Sequence, residues 1–543
     1  MINTERILKE DFKMNTKEQI QAGAAIIGIE FGSTRIKSVL IDRNHQVIAS
    51  GSHEWENDYL NGIWTYSAEN IISGLQSSFA DLKANVAEQY GITLKKISAL
   101  GISAMMHGYL PFDGDMHLLV PFRTWRNTIT ADASEKLTRL FSFNMPQRWS
   151  LSHLYQAILN GEDHISNIRY LTTLAGWIHY LLTGRKVLGI GDASGMMPID
   201  SESRDFREDM VQAFDTLIAP YHYPWKLKEI LPTVLSAGED AGTLTEEGAR
   251  LLDPSGDLEP GCILCPPEGD AGTGMTATNS VRERTGNVSA GTSIFSMIVL
   301  EKPMKGVYPE IDIVTTPVGK QVGMVHCNSC TSDINAWIAL FREFADIMGF
   351  RTETGDVFTR LFRKAMEGDK DCGGLVSFNY FAGEPVTGLS EGRPMLIRTP
   401  DAKMNMANFM RTQIYASLET LKAGMEIMKR ENVAIDEIYG HGGLFKTPGV
   451  GQNLLAAAVH APVTVMETAG EGGAWGIALL AEYALLRDKQ ESLEDYLQNR
   501  VFAGMEKITV APDPEDEKGF DRYMERFLAC IPAQKAAVEG LKI

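Results

Sequence analysis

GIEFGSTRIKSVLID, residues 28–42, and NVSAGTSIFSMIVLE, residues 287–301, align without a gap. Each passes from a short apolar run through a turn of glycine and hydroxyl residues into a second, alternating run. Both are therefore predicted to be strand, tight turn, strand. Gly32-Ser33-Thr34 falls on Gly291-Thr292-Ser293, and Glu30 falls on Ser289. Gly32 and Gly291 are 259 residues apart in a chain of 543. That spacing is one domain length, since a chain of this size divides into two domains of roughly 250 residues each. A duplicated domain follows, with a polar extension over residues 1–23, a first domain over 24–278 and a second over 279–543.

Outward from the first hairpin, Val47–Ala49 continues a meander, Ser67–Tyr90 has helical spacing ended by Gly91, and Ile97–Ser103 is a strand. Tyr170–Thr183 is predicted as a helix capped by Gly184, and Met410–Arg430 as one amphipathic helix. Ile435–Tyr439 and Val463–Met466 are predicted strands, and Gly472–Leu486 a helix rich in glycine and alanine. Strands alternate with helices, so the class is α/β. A phosphate-type hairpin at the same place in each half points to a two-domain actin-like (ribonuclease-H-like) ATPase fold with an interdomain nucleotide cleft.

Composition narrows the partners. The net charge is −19 with no basic run, which repels nucleic-acid phosphates. No stretch approaches the run of about 18 apolar residues that crosses a membrane, and the first residues lack a signal-peptide core; a cytoplasmic location is expected. Six cysteines include the pairs Cys262/Cys265 and Cys327/Cys330. The first pair sits in GCILCPP, an apolar run in which positions i and i+3 of a strand face opposite sides. Reduced thiols are expected rather than a four-thiolate zinc site.

A Gly-hydroxyl turn suits phosphate, because glycine lets backbone amides approach an oxyanion and the hydroxyls add donors. Gly32, Ser33, Thr34, Gly291, Thr292 and Ser293 are accordingly candidate ATP contacts. The strand after Gly32 excludes the helix that a P-loop or dinucleotide fingerprint requires. Glu30, inside the first strand, is a candidate for holding Mg²⁺ through water or, alternatively, a partner of Arg35 or Lys37. Asp270, in PPEGDAGTGMTA, is a candidate general base for a hydroxyl or else the N-cap of the next helix. His107, at a strand end, offers a substrate hydrogen bond or is incidental. Asp192, in GDASG, binds sugar or makes a turn, the turn being the better reading. Gly442-Gly443 and Gly472-Gly473 lie at strand-to-helix junctions; such residues form a flat slot for adenosine or pack a helix on a sheet.

In this order the motifs resemble the FGGY carbohydrate kinases, and within them xylulokinases and their relatives, over about residues 25–530. GIEFGSTRIKSVLID is similar to the family's first phosphate strand, GISAMMHG to its sugar loop, GDAGTGM to its catalytic-aspartate loop and GNVSAGTS to its second phosphate turn. HGGLFKTP and EGGAWGIALLAEY resemble its adenosine pair. The resemblance implies phosphoryl transfer from Mg²⁺·ATP to a sugar hydroxyl, with Asp270 as base. Met106 and His107 would face the sugar, and Thr292, Gly443 and Thr447 would line the nucleotide site. Two departures stand out: Glu30 replaces the family's aspartate, and Met105 replaces its glutamine. The partners expected are sugar and ATP, with no nucleic acid or membrane, and a homodimer is admissible. The competing readings are an actin-like ATPase or sensor without kinase activity, and a kinase for another sugar or polyol.

Overall fold

The computed structural model describes residues 14–466, 472–488 and 490–542. Residues 1–13 of the expected extension lie outside the described part. Its remainder holds helix α1 (Thr16–Ala22), closed by a reciprocal capping box between Asn15 and Glu18. The chain divides into two compact units. One gathers the described residues of Met1–Val281, Ile313–Gln321 and Glu471–Gly504, and the other those of Arg282–Asp312, Val322–Gly470 and Met505–Ile543.

In the first unit, β1 (Ile26–Phe31), β2 (Arg35–Ile41) and β3 (Val47–Glu54) form the predicted meander. Helix α2 (Ala68–Tyr90) follows, capped by the Ser67 side chain and ended by Gly91 in the left-handed region. β4 (Ala99–Ala104) then lies parallel to β1. Helices α3 (Ser150–Asn160), α4 (Leu174–Thr183) and the single turn α5 (Ile190–Ala193) lead to two short strands, β5 (Ile263–Leu264) and β6 (Glu268–Gly269). Both short strands pair with β4, and the sheet runs β5-β4-β1-β2-β3. Helix α6 (Asp270–Ala277) starts where β6 ends, and α7 (Gly472–Leu486) returns from late in the chain to the same sheet.

The period of two decides the faces of β1. Ile27, Ile29 and Phe31 join one buried cluster with Ile71, Leu75, Phe79 and Leu82 of α2. Gly28 and Glu30 point the other way, at α7. A methyl group added to Gly28 would stand 2.0 Å from the Ala474 carbonyl oxygen, so helix and strand touch through backbone. Gly476 makes the same contact with α6, 2.1 Å from the Thr273 carbonyl. Of the two readings of the glycines that open α7, packing is the one seen.

The second unit repeats the plan. β7 (Thr285–Ala290), β8 (Ile294–Val299), β9 (Gln321–Cys327), β10 (Glu437–Gly442), β11 (Val463–Met466) and β12 (Lys507–Val510) contain the run β11-β10-β7-β8-β9. β7–β8 and β8–β9 are antiparallel, β7–β10 and β10–β11 parallel. The corresponding pairs β1–β2, β2–β3, β1–β4 and β4–β5 have the same directions.

Three local expectations are corrected. Tyr170–Thr172 is a strand paired with Leu110–Phe112, and the helix begins only after Thr173, whose hydroxyl accepts the Gly176 amide. Met410–Arg430 is two helices, Met406–Ala416 and Glu419–Arg430; the Ser417 hydroxyl bonds both Gln413 O and the distant Cys330 O, and the axis breaks there. Cys262 and Cys265 flank the two-residue strand β5 instead of lying within a longer one. All six cysteines are free.

Candidate active site

Asp270 is the first residue of α6, and the N-cap position belongs to Gly269. Its Oδ1 accepts the Met106 amide, 3.1 Å away, and the carboxylate also meets the Ala271 amide at the start of the helix. The contact follows from topology: β6 and β4 are parallel neighbours, with Gly269 opposite Ala104, so their ends emerge side by side. Asp270 remains exposed to solvent. Protein crowding raises its pKa above the usual aspartate value, opposed by the Met106 amide and the Arg148 guanidinium.

His107 has φ of 73° and Gly108 94°, a reversal that a side chain adopts at some cost. The His107 ring is buried, with Nδ1 3.2 Å from the Gly195 carbonyl and its face stacked on Trp149 at 6.2 Å. Met106 is nearly buried beside it, and Met105 is a member of the hydrophobic core. The Met105 side chain therefore serves packing, and it is Met106 and His107 that belong to the loop.

Asp192 opens the expected turn, the Gly195 amide donating to its carbonyl at 2.9 Å. Its side chain is a buried carboxylate on α5, with Oδ2 accepting the Thr173 hydroxyl at 2.6 Å and the Asp192 amide donating to Glu268 Oε2 at 2.9 Å. Glu268 also accepts the Gly191 amide at 3.2 Å. Burial, then the charge of Asp192, pushes Glu268 up to about 8. Burial pushes Asp192 up to about 7, with Asp270 adding to the rise and the Thr173 hydroxyl opposing it. A methyl on Gly269 would lie 2.8 Å from Met106 Cγ and 3.1 Å from Asp192 Oδ1, so three separate segments converge on this glycine.

Glu30 stands on the α7 face of β1, its Oε2 accepting the Ala474 amide at 3.2 Å. Burial first, and the Asp270 charge second, push it up to about 7, with Lys37 and Arg35 only minor counterweights. The structure thus brings Glu30 near Asp270, with Lys37 its cross-strand neighbour on β2. Gly473 is obligatory here, because a methyl would fall 2.2 Å from Glu30 Oε1.

The first turn is tied back by its carbonyls. Trp55 Nε1 donates to Gly32 O at 2.8 Å, the Tyr66 hydroxyl to Ser33 O at 2.6 Å and the Trp55 amide to Thr34 O at 3.1 Å. Trp125 Nε1 reaches Ser33 Oγ at 3.2 Å. The Gly32 amide itself closes the turn on Arg35 O at 3.0 Å, as the Gly291 amide closes the second turn on Ser293 O at 2.9 Å. The second turn is held likewise, Gly291 O and Thr292 O accepting the Thr331 and Cys330 amides at 3.1 and 2.9 Å. Gly442 pairs with Ala290 across β10–β7 and has φ of 107°; a methyl there would stand 2.3 Å from Ala290 O. Gly442 and Gly443 therefore border the Gly291 turn. Thr447 is a buried residue beyond the short helix Gly443–Phe445. Glu471, the first residue of the second junction, lies outside the described residues.

Sequence reading missed Glu268, the three aromatic donors of the first turn, and His441. His441 stands opposite Ser289, and burial lowers it to about 4. No local signal marks Glu268 or the aromatic donors, since each bonds a residue far away in the chain.

Residues 25–253 match the FGGY family of carbohydrate kinases, N-terminal domain, and residues 286–485 its C-terminal domain. The chain is 22% identical over 524 residues to a xylulose kinase of Haemophilus influenzae, covering 92% of this chain and 98% of that protein. Its fold is similar to a ligand-bound xylulose kinase of Lactobacillus acidophilus, with a TM-score of 0.76, 17% identity and coverage of 95% and 99%. It is also similar to a Plasmodium falciparum glycerol kinase with ADP, with a TM-score of 0.71, 14% identity and coverage of 93% and 98%.

Proposed function

The chain belongs to the FGGY family of carbohydrate kinases, and from that premise we propose that this ATP-dependent, xylulokinase-like sugar kinase phosphorylates a ketose, with Asp270 as general base. The observation that carries the base assignment is the Asp270 carboxylate, exposed at a strand–helix junction and anchored by the Met106 amide. Its raised pKa makes it a better proton acceptor than an ordinary aspartate. Met106 and His107 border it and offer the sugar a thioether surface and an imidazole. As the acceptor oxygen bonds to the γ-phosphorus, Asp270 takes its proton, the bond from that phosphorus to the β,γ-bridging oxygen breaks and ADP leaves.

The donors fit a magnesium ion: Glu30 supplies oxygen ligands in a setting where burial and the neighbouring Asp270 disfavour its charge, which a cation would relieve. Glu30 would hold such an ion through water, and the ion would supply charge neutralisation for the phosphates. The turns at Gly32–Thr34 and Gly291–Ser293 present amides and hydroxyls to phosphate oxygens, and Gly442, Gly443 and Thr447 are assigned to the nucleoside.

The test is ADP release measured over a panel of ketoses, aldoses and polyols. Strong stimulation by a ketose such as D-xylulose, at rates well above those with the other acceptors, is expected. An ATPase rate that no acceptor changes would replace this reading with the nucleotide-sensor one.

A further inference from the structure

The turn bounded by Cys327 and Cys330 takes no part in the chemistry above, yet it touches the second Gly-hydroxyl turn. Cys330 N–H donates to Thr292 O at 2.9 Å, and Thr331 N–H to Gly291 O at 3.1 Å. The Thr331 hydroxyl donates to the same Gly291 oxygen at 2.7 Å. The register explains the proximity, because Cys327 pairs with Ile294, the first residue of β8 after the turn.

Side chains hold this turn from its other side, Glu384 foremost. The amides of Asn328 and Ser329 both donate to the Glu384 carboxylate, at 3.1 and 2.6 Å. Asn328 Nδ2 donates to Gly383 O at 2.6 Å, and Asn379 Nδ2 to Cys330 O at 2.8 Å. Glu384 is fully buried. A buried carboxylate is costly unless hydrogen-bonded, and here two backbone donors offset that cost.

We propose that Glu384 is a positioning residue for the nucleotide, acting through the Cys327–Cys330 turn to hold Gly291–Ser293 in the geometry that receives a phosphate. The inference rests on the reading of Gly291–Ser293 as a phosphate-binding turn. Its chemistry is specific to a carboxylate. Two oxygens meet two N–H groups, whereas glutamine offers one oxygen and sets an NH₂ group against the other amide. Burial raises Glu384 to about 7, and the Asn328 and Ser329 bonds oppose the rise. The Cys330 and Thr331 donors then fix the carbonyl dipoles of Gly291 and Thr292 away from an approaching anion.

Glu384→Gln and Thr331→Val test this by the Kd of ADP from calorimetry, the KM for ATP, the KM for the best acceptor, and the melting temperature. Glu384→Gln is expected to raise ADP Kd and ATP KM about tenfold, with acceptor KM unchanged. Thr331→Val leaves the carboxylate in place and is expected to raise ADP Kd about threefold without a change in melting temperature. Unchanged ADP Kd in both variants would overturn the proposal. So would equal losses of ADP and acceptor affinity accompanied by a fall in melting temperature. Gly291→Val separates the two layers of the argument, because a methyl there meets only Ser293 O, at 4.0 Å, and disturbs a ligand more than the fold. If Gly291→Val leaves ADP Kd unmoved, the phosphate reading falls and takes the proposal with it. If Gly291→Val weakens ADP while Glu384→Gln and Thr331→Val do not, the proposal alone falls.

Discussion

The hairpins at Gly32 and Gly291 sit in five-strand runs of identical order and direction, yet they are built for different work. In the first, four residues separate the closing pair Phe31 and Ile36; in the second, three separate Ala290 and Ile294. The first is tied back by the aromatic donors Trp55, Tyr66 and Trp125, the second by backbone amides of a turn anchored on Glu384. Two residues before its glycine, the first has Glu30 within the field of Asp270, where the second has Ser289. The repeat preserved topology, which many residues enforce together, and let the supports diverge, because any donor reaching the turn's carbonyls serves equally. Charge was placed in one copy only.

The largest effect should fall on that charged copy. Asp270→Asn is expected to lower kcat by at least about 100-fold while leaving ADP Kd unchanged. A variant keeping more than about a tenth of wild-type turnover would contradict the base assignment.

The direct test of the asymmetry is Glu30→Gln against Ser289→Ala. Glu30→Gln should lower kcat by about 10- to 100-fold and raise the Mg²⁺ requirement, and Glu30→Asp should restore most of it. Ser289→Ala should stay within about twofold, since a neutral hydroxyl there carries no charge to lose. Equal responses of Glu30→Gln and Ser289→Ala, read as turnover against free Mg²⁺, would erase the distinction between the copies.

A smaller effect compares the supports. Tyr66→Phe removes one donor from Ser33 O while keeping the ring stacked on Trp55 at 4.1 Å. It should lower kcat/KM for ATP by about threefold, near the effect expected of Thr331→Val on the other turn.

The smallest effect concerns stability. Glu268 parallels Glu384, each a buried carboxylate accepting two backbone amides. The folded-state pKa of Glu268, about 8, lies above its ordinary value of 4.5, so the folded state holds the proton more tightly than the unfolded chain does. The stability this group contributes is complete below the ordinary value and is lost as pH rises through about 8. Glu268→Gln should therefore flatten the decline in melting temperature between about pH 5 and 8, by roughly 2–5 °C. An unchanged slope would mean that Asp192 carries the titration of this pair.

The hairpins, the helix over Ala68–Tyr90 and the Asp270 junction were legible in the sequence because their signals are local: turn residues, alternation, a cap and a stop. The burial of the Asp192 side chain was not legible, for the opposite reason. Its environment is made by Glu268, 76 residues away, and a loop signature carries no information about what a sheet neighbour will press against it. The late glycines were equally undecided: Gly442 borders the second turn, while Gly473 and Gly476 let α7 lie on Glu30 and α6.

By itself the sequence determined the α/β class, the duplicated hairpin and the ordered motifs of the family. Only the tertiary structure decided that Gly472–Leu486 completes the first unit, that Asp192 and Glu268 form a buried pair and that Glu384 reaches the Cys327–Cys330 turn. Hydrogen-bonded turns and periodic strands are specified by residues a few positions apart. Buried carboxylates and backbone-to-backbone packing depend on which distant segments the sheet order makes neighbours, and that order is set by the cores of the two units as wholes.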